Sequence, residues 1–357
     1  MSGKIRVLVV EDSITVRHRL IEVLTADPTF EVVGEAGDGR AAIELCERLR
    51  PDVVTLDMML PVMTGLAATE YIMAHLPTPI LVVSSSFNRG EVFKTYDALA
   101  AGAVEVIEKP TGEEQPGAWE QAFLSAVRVV SRVKVITHPR ARLAGLSQHS
   151  SPRTDPPASA PPPGRLALVT IGVSTGGPSA LVRVLRALPA DFPAPILVVL
   201  HLSAPFARAF ADWLGNQAGR EVRYAANGER LGALNGRVRL APPDQHLVVR
   251  HGELALTADP ERHSCRPSVD VLFESVARDC GPTTLGCLLT GMGKDGAAGL
   301  LELRRAGATT LAQDEASSVV YGMPREAALL GAAAHVLALD DIGGFIATSF
   351  GRAKGRP

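Results

Sequence analysis

The stretch IRVLVVED, residues 5–12, runs an almost unbroken branched-aliphatic segment into two adjacent acids. Such a run, without polar alternation, predicts a strand buried on both faces and therefore a parallel sheet covered by helices. Further runs follow at helix-sized intervals: EVVGEA (31–36), DVVTLD (52–57), ILVVS (80–84) and AVEVI (103–107). With amphipathic stretches between them and a last one over roughly 117–133, the spacing predicts a flavodoxin-like α/β domain, a doubly wound sheet of five parallel strands.

A chain of 357 residues exceeds what one core usually supports, so a second domain is expected. Between His138 and Gly164 lie seven prolines among Ser, Arg and Ala, with almost no large apolar residue. This is the composition of a semi-extended tether. The division is therefore 1–133, a proline-rich linker over 134–164, and 165–357. Beyond the linker the βα pattern resumes with RLALVTIGV (165–173), PILVVLH (195–201), TTLGCLLTG (283–291) and ATTLA (308–312), with helices from about 177, 204 and 295. A second doubly wound, mainly parallel sheet follows. Residues 221–260, with turns such as NGER and LNGR, read as a β-rich insertion or an antiparallel edge.

A formal net charge of -2 gives no field towards nucleic acid, and no basic stripe or helix-turn-helix is present. No apolar run is long enough to span a membrane, and the N-terminus carries no cleavable signal pattern, so a cytoplasmic protein is expected, without membrane insertion. The four cysteines, Cys46, Cys265, Cys280 and Cys287, lack C-x-x-C spacing and read as free buried thiols rather than metal ligands.

Ligands of doubly wound sheets sit beyond the carboxyl ends of the strands. Glu11, Asp12 and Asp57 all fall there, and carboxylates this close repel unless a cation joins them; hard oxygen ligands suit Mg²⁺ beside a phosphate. Ser84, after ILVV, adds a hydroxyl, and Lys109, before Pro110, adds a cation for phosphate oxygens. Acids and hydroxyls after strands also cap helices, as Ser13 could. As a set, E-D, D-M-M-L-P, S-S and K-P at successive strand ends resemble the response-regulator receiver family over roughly residues 4–130. The resemblance implies that Asp57 accepts a phosphoryl group from a histidine kinase, that Glu11, Asp12 and Asp57 hold Mg²⁺, and that Ser84 and Lys109 read the phosphate. Val106 and Ile107 stand where receivers often carry an aromatic residue.

In the second half, Gly172-Val173-Ser174-Thr175-Gly176-Gly177 lies between a strand and a helix. Such an elbow suits a serine nucleophile beside helix N-terminal N–H groups, although a glycine-rich turn of this kind also cradles phosphate. His201 ends the next strand and Asp295 follows TTLGCLLT, so both should emerge at the same edge as Ser174, as base and orienting acid. Asp244 and Asp270 are alternative acids.

The segments GVSTGGP (172–178), VVLH (198–201), APPDQH (241–246), CRPSVDVLF (265–273), LLTGMGKDGAAG (288–299) and LAQDEASSVVYGMPREA (311–327) closely resemble the chemotaxis protein-glutamate methylesterase family, CheB, over nearly the whole chain. That resemblance implies a Ser174–His201–Asp295 triad with no cofactor for ester hydrolysis, an oxyanion contact from the Met292 N–H, and a site shaped in part by Thr175. It further implies methyl-accepting chemoreceptors as substrates, glutamine deamidation as a permitted second activity, and a chemotaxis histidine kinase as phosphodonor. Leu202-Ser203 and His263-Ser264-Cys265 depart from the family pattern.

Overall fold

The structure, a computed structural model, describes residues 3–85, 88–110, 112, 115–133, 135 and 166–351. The chain divides into two units, Met1–Ser151 and Pro152–Pro357, parted within the proline-rich stretch. The expected linker, 134–164, lies outside the described residues apart from residue 135.

In the first unit β1 (Ile5–Val10) lies between β2 (Phe30–Ala36) and β3 (Val53–Leu56), with β4 (Ile80–Ser84) and β5 (Glu105–Glu108) beyond. The order β2-β1-β3-β4-β5 is parallel throughout. Its helices are α1 (Ile14–Ala26), α2 (Gly39–Leu49), α3 (Gly65–His75), α4 (Arg89–Ala101) and α5 (Ala118–Val130). Val7, Leu8, Val9, Val53, Val54 and Leu56 are fully buried, as unbroken aliphatic runs require of strands covered on both faces. The last strand starts two residues later than its apolar run, because Ala103 and Val104 close the turn after α4, where the Ala103 N–H reaches Ala98 O. Strand order reverses at β1, so a crevice opens between the ends of β1 and β3.

The second unit is built on β6 (Leu168–Val173), α6 (Gly177–Ala187), β7 (Ile196–Leu200), α7 (Ala204–Ala207), α8 (Phe210–Ala218), β8 (Val222–Tyr224) and β9 (Val238–Leu240). Then come β10 (His246–Arg250), β11 (Glu253–Thr257), α9 (Val269–Cys280), β12 (Thr284–Leu288), α10 (Ala297–Arg305), β13 (Thr309–Gln313), α11 (Met323–Leu329), β14 (His335–Leu337) and α12 (Leu339–Ser349). The main sheet runs β14-β13-β12-β6-β7-β9-β8, with every pair parallel.

Residues 221–260 thus resolve into two parts. β8 and β9 extend the main sheet in parallel, so its edge is not antiparallel. β10 and β11 make a separate antiparallel hairpin whose turn, His251-Gly252, has both residues left-handed, at φ 52° and 73°. The helix expected from 204 is broken into α7 and α8. β6 and β12 are buried along their whole length, and the sheet's order reverses between them. The ends of β6, β7 and β12 therefore share one edge.

Candidate active site

Three carboxylates do meet at the edge of the first sheet. One oxygen each of Glu11, Asp12 and Asp57 lies within 4.8 Å of the others, with Glu11 and Asp57 buried and Asp12 exposed. Lys109 Nζ sits 3.0 Å from Glu11 Oε2 and 3.1 Å from Asp57 Oδ2, and donates a hydrogen bond to Glu11 Oε1 at 3.1 Å. One ammonium for three acids leaves charge uncompensated. Burial, then the neighbouring Asp57, pushes Glu11 up to about 7. Burial also raises Asp57 against the pull of Lys109. Asp57 Oδ1 is buried without a hydrogen bond, and Glu11 Oε2, though close to Lys109, lacks hydrogen-bond geometry. Buried hard oxygens short of donors are the donor set that a divalent cation completes.

Ser84 makes no hydrogen bond to this cluster among the described residues. Its hydroxyl is fully buried, donates to Glu91 Oε1 at 2.9 Å and accepts from Thr95 Oγ1 at 3.0 Å, both on α4. Sequence reading placed Ser84 at the right strand end but missed Glu91. Ser13 does cap α1, accepting from the Val16 N–H at 3.5 Å.

In the second unit the strand ends bring Ser174, His201 and Asp295 to one edge. The His201 N–H donates to Val173 O at 3.1 Å, carrying the β6–β7 ladder one step further and setting His201 beside the turn that holds Ser174. That turn needs its glycine. Gly176, at φ 77°, precedes α6, and a Cβ there would lie 2.6 Å from Val319 Cβ. Gly291 is equally constrained, since its Cβ would meet Ser174 Cβ at 2.7 Å. Gly291 therefore packs directly against Ser174.

His201 Nε2 lies 3.0 Å from Asp295 Oδ2, and its Nδ1 lies 3.9 Å from Cys265 Sγ. Asp295 is buried at the N-terminus of α9. It accepts from Ser268 Oγ at 2.7 Å, from the Val269 N–H at 2.7 Å and from the Asp270 N–H at 3.1 Å. Burial opposes its charge, but His201 and these donors outweigh it and hold Asp295 below the usual carboxylate range. Burial likewise opposes charge on His201; the hydrogen bonds with Asp295 and Cys265 win, and His201 is raised well above the ordinary imidazole value.

The Ser174 hydroxyl makes no hydrogen bond among the described residues, whereas its N–H is committed to Thr290 O at 3.0 Å. Of the neighbouring amides, that of Met292 donates no hydrogen bond among the described residues. Thr175 is buried and its carbonyl accepts from Thr290 Oγ1 at 3.0 Å. Asp244 lies in an exposed turn at φ 59°. Asp270 lies in the first turn of α9, accepts from the Gly299 N–H at 2.6 Å and pairs with His263 at 3.1 Å. Among the described residues neither makes a hydrogen bond or ion pair with His201.

Sequence reading missed the clamp on Asp295: Ser268 is a recognisable N-cap for α9, but its donation to Asp295, 27 positions away, is visible only in three dimensions. Cys265 also departs from expectation. It is half-buried rather than buried, and its proximity to His201 is visible only in three dimensions.

The CheB methylesterase family matches residues 169–346, and the response regulator receiver domain matches residues 7–116. A protein-glutamate methylesterase/protein-glutamine glutaminase of Geobacter metallireducens is 43% identical, covering 95% of this chain and 96% of its own. One of Nitrosospira multiformis is 44% identical, covering 95% of both chains. The solved CheB methylesterase catalytic domain of Thermotoga maritima is 35% identical, covering 50% of this chain and 96% of its own, with a TM-score of 0.48. With its receiver and methylesterase halves in this order and relatives matched end to end, the chain belongs to the family of protein-glutamate methylesterases/protein-glutamine glutaminases.

Proposed function

We propose that the chain hydrolyses glutamate γ-methyl esters of chemoreceptor proteins, under control of phosphorylation at Asp57. The observation that carries the hydrolytic reading is the pairing of half-buried His201 with buried Asp295 at 3.0 Å, at the sheet edge where Ser174 follows β6. Asp295 holds Nε2, so Nδ1 is the nitrogen left to take a proton. Ser174 Oγ attacks the ester carbonyl carbon as its proton passes to His201 Nδ1. The oxyanion faces the uncommitted Met292 N–H, and buried Thr175, tied to Thr290, helps to shape the site. Collapse of the tetrahedral centre breaks the bond to the methoxy oxygen, which takes the proton from His201 and leaves as methanol. Water then hydrolyses the acyl-serine by the same proton route and restores the carboxylate. A glutamine side chain enters the same sequence with ammonia as leaving group.

Because the base must be neutral and its pKa is raised, kcat/KM should climb with pH, and the acid limb should lie above the ordinary imidazole value of 6.5. A pH profile of methanol release checks this; a limb at or below 6.5 contradicts the Asp295–His201 assignment.

In the first unit, Glu11, Asp12 and Asp57 would hold Mg²⁺, which when bound offsets the charge on the phosphoryl oxygens. Asp57 takes the phosphoryl group from a chemotaxis histidine kinase, and Lys109 pairs with its oxygens. For Ser84 to reach the phosphate it must release Glu91, so phosphorylation at Asp57 is coupled to α4. The deciding experiment measures methanol release from methylated receptor with and without acetyl phosphate and Mg²⁺. Stimulation is expected in the native chain and lost in Asp57→Asn, with basal release retained. Equal stimulation of Asp57→Asn would exclude Asp57 as the switch.

A further inference from the structure

Cys265 is held more firmly than a surface thiol requires. Arg262 and Cys265 exchange both backbone hydrogen bonds, N–H to O at 3.1 and 2.9 Å, across the two-residue turn His263-Ser264. Both turn residues are left-handed, at φ 54° and 58°, as a tight hairpin of this hand demands. The turn sets Sγ 3.9 Å from His201 Nδ1, the ring nitrogen that Asp295 leaves free. His201 Nδ1 or Nε2, Cys265 Sγ and an Asp295 oxygen form a cluster within 4.8 Å. The His201 side chain is 17% exposed and Cys265 is half-buried, so solutes reach the cluster.

We propose that His201 Nδ1 and Cys265 Sγ form a binding site for a thiophilic divalent cation of the Zn²⁺ or Cd²⁺ class, and that its occupation switches the esterase off. Tetrahedral zinc has bonds of about 2.3 Å to sulfur and about 2.0–2.1 Å to imidazole nitrogen, which together span about 3.6 Å between the ligand atoms. The pair needs to close by only a few tenths of an ångström from the observed 3.9 Å. Asp295 supplies the outer carboxylate that metal-bound imidazoles commonly have, since it already fixes the opposite ring nitrogen at 3.0 Å. On binding, the Cys265 thiol gives its proton to solvent, and the remaining coordination positions go to water. Sulfur and nitrogen select zinc or cadmium over Mg²⁺, which separates this site from the all-oxygen pocket of the first unit. Inhibition follows from occupancy of Nδ1, and this part rests on the reading of His201 as the base.

The test uses the full-length chain. Zn²⁺ should inhibit methanol release, chelator should restore it, and millimolar Mg²⁺ should not substitute. Comparing treated with untreated rates, Cys265→Ser should need about tenfold more Zn²⁺ or beyond for the same fractional inhibition. Independently of catalysis, Cd²⁺ titration should give an ultraviolet thiolate-to-cadmium absorption that Cys265→Ser removes and His201→Ala displaces to higher Cd²⁺. A Cys265-dependent band in a chain that releases no methanol would uphold the site and overturn the esterase reading. Equal Zn²⁺ sensitivity of Cys265→Ser, or a band indifferent to Cys265, would overturn the site itself.

Discussion

Ser174→Ala is expected to lower methanol release by about 10⁶-fold, the loss seen when the nucleophile of a serine hydrolase is removed. The structure makes this a clean deletion. Ser174 Oγ has no hydrogen-bond partner among the described residues, so no buried group loses its bond. The backbone links that set the turn, Ser174 N–H to Thr290 O and Gly177 N–H to Ser174 O at 2.7 Å, do not involve the side chain. Alanine keeps the Cβ of Ser174, so the close approach of Gly291 is unchanged. Stability should therefore change by no more than about 0.5 kcal/mol. A melting curve superimposable on that of the native chain, together with loss of labelling by a serine-directed phosphonate, would assign the loss to chemistry. If methanol release survived at even a tenth of the native rate, Ser174 would not be the nucleophile.

What could be read from the residues alone divides along a physical line. Strand ends were legible because aliphatic runs such as LVTIGV and ILVVL can only be doubly buried strands, and the residue after each must emerge at the carboxyl edge. Ser174 and His201 were placed by that rule, as were Glu11, Asp57 and Lys109, whereas Asp295 lies in the loop that follows β12. The rule is silent on which way a side chain turns once it is there. Ser84 sits at its expected strand end yet points to Glu91 and Thr95 on α4, a preference set by packing between elements. The same limit hid Cys265, whose meeting with His201 spans 64 positions of sequence. Short strands were the other loss. β8 and β9 have three residues each, too few for a period, and their direction is fixed by how the intervening loop returns, not by composition.

Asp295→Asn should lower turnover by about 10⁴-fold, because the amide, turned so that its oxygen still serves Ser268 and the Asp270 N–H, forces the wrong histidine tautomer. The four contacts on Asp295 explain why neither orientation of the amide restores the native hydrogen bonding. Oδ1 accepts from Ser268 Oγ and the Asp270 N–H, while Oδ2 accepts from the Val269 N–H and contacts His201 Nε2. With the amide nitrogen towards His201, Nε2 must accept, the ring proton moves to Nδ1, and the base is blocked while the Val269 N–H faces another donor. With the amide flipped, the tautomer survives but the Asp270 N–H and Ser268 lose their acceptor. Either arrangement leaves a buried donor unsatisfied, at a cost of about 1–3 kcal/mol. Unlike Ser174→Ala, this change should therefore lower both kcat and the melting temperature. The stability loss carries a pH signature. Asp295 has a depressed folded pKa, so its contribution is present above the unfolded carboxylate value of 3.8 and disappears as pH falls through the folded value. The melting difference between native and Asp295→Asn chains should accordingly be full at neutral pH and shrink in strong acid. A variant that kept native kcat, or whose stability deficit did not change on acidification, would remove Asp295 from the site.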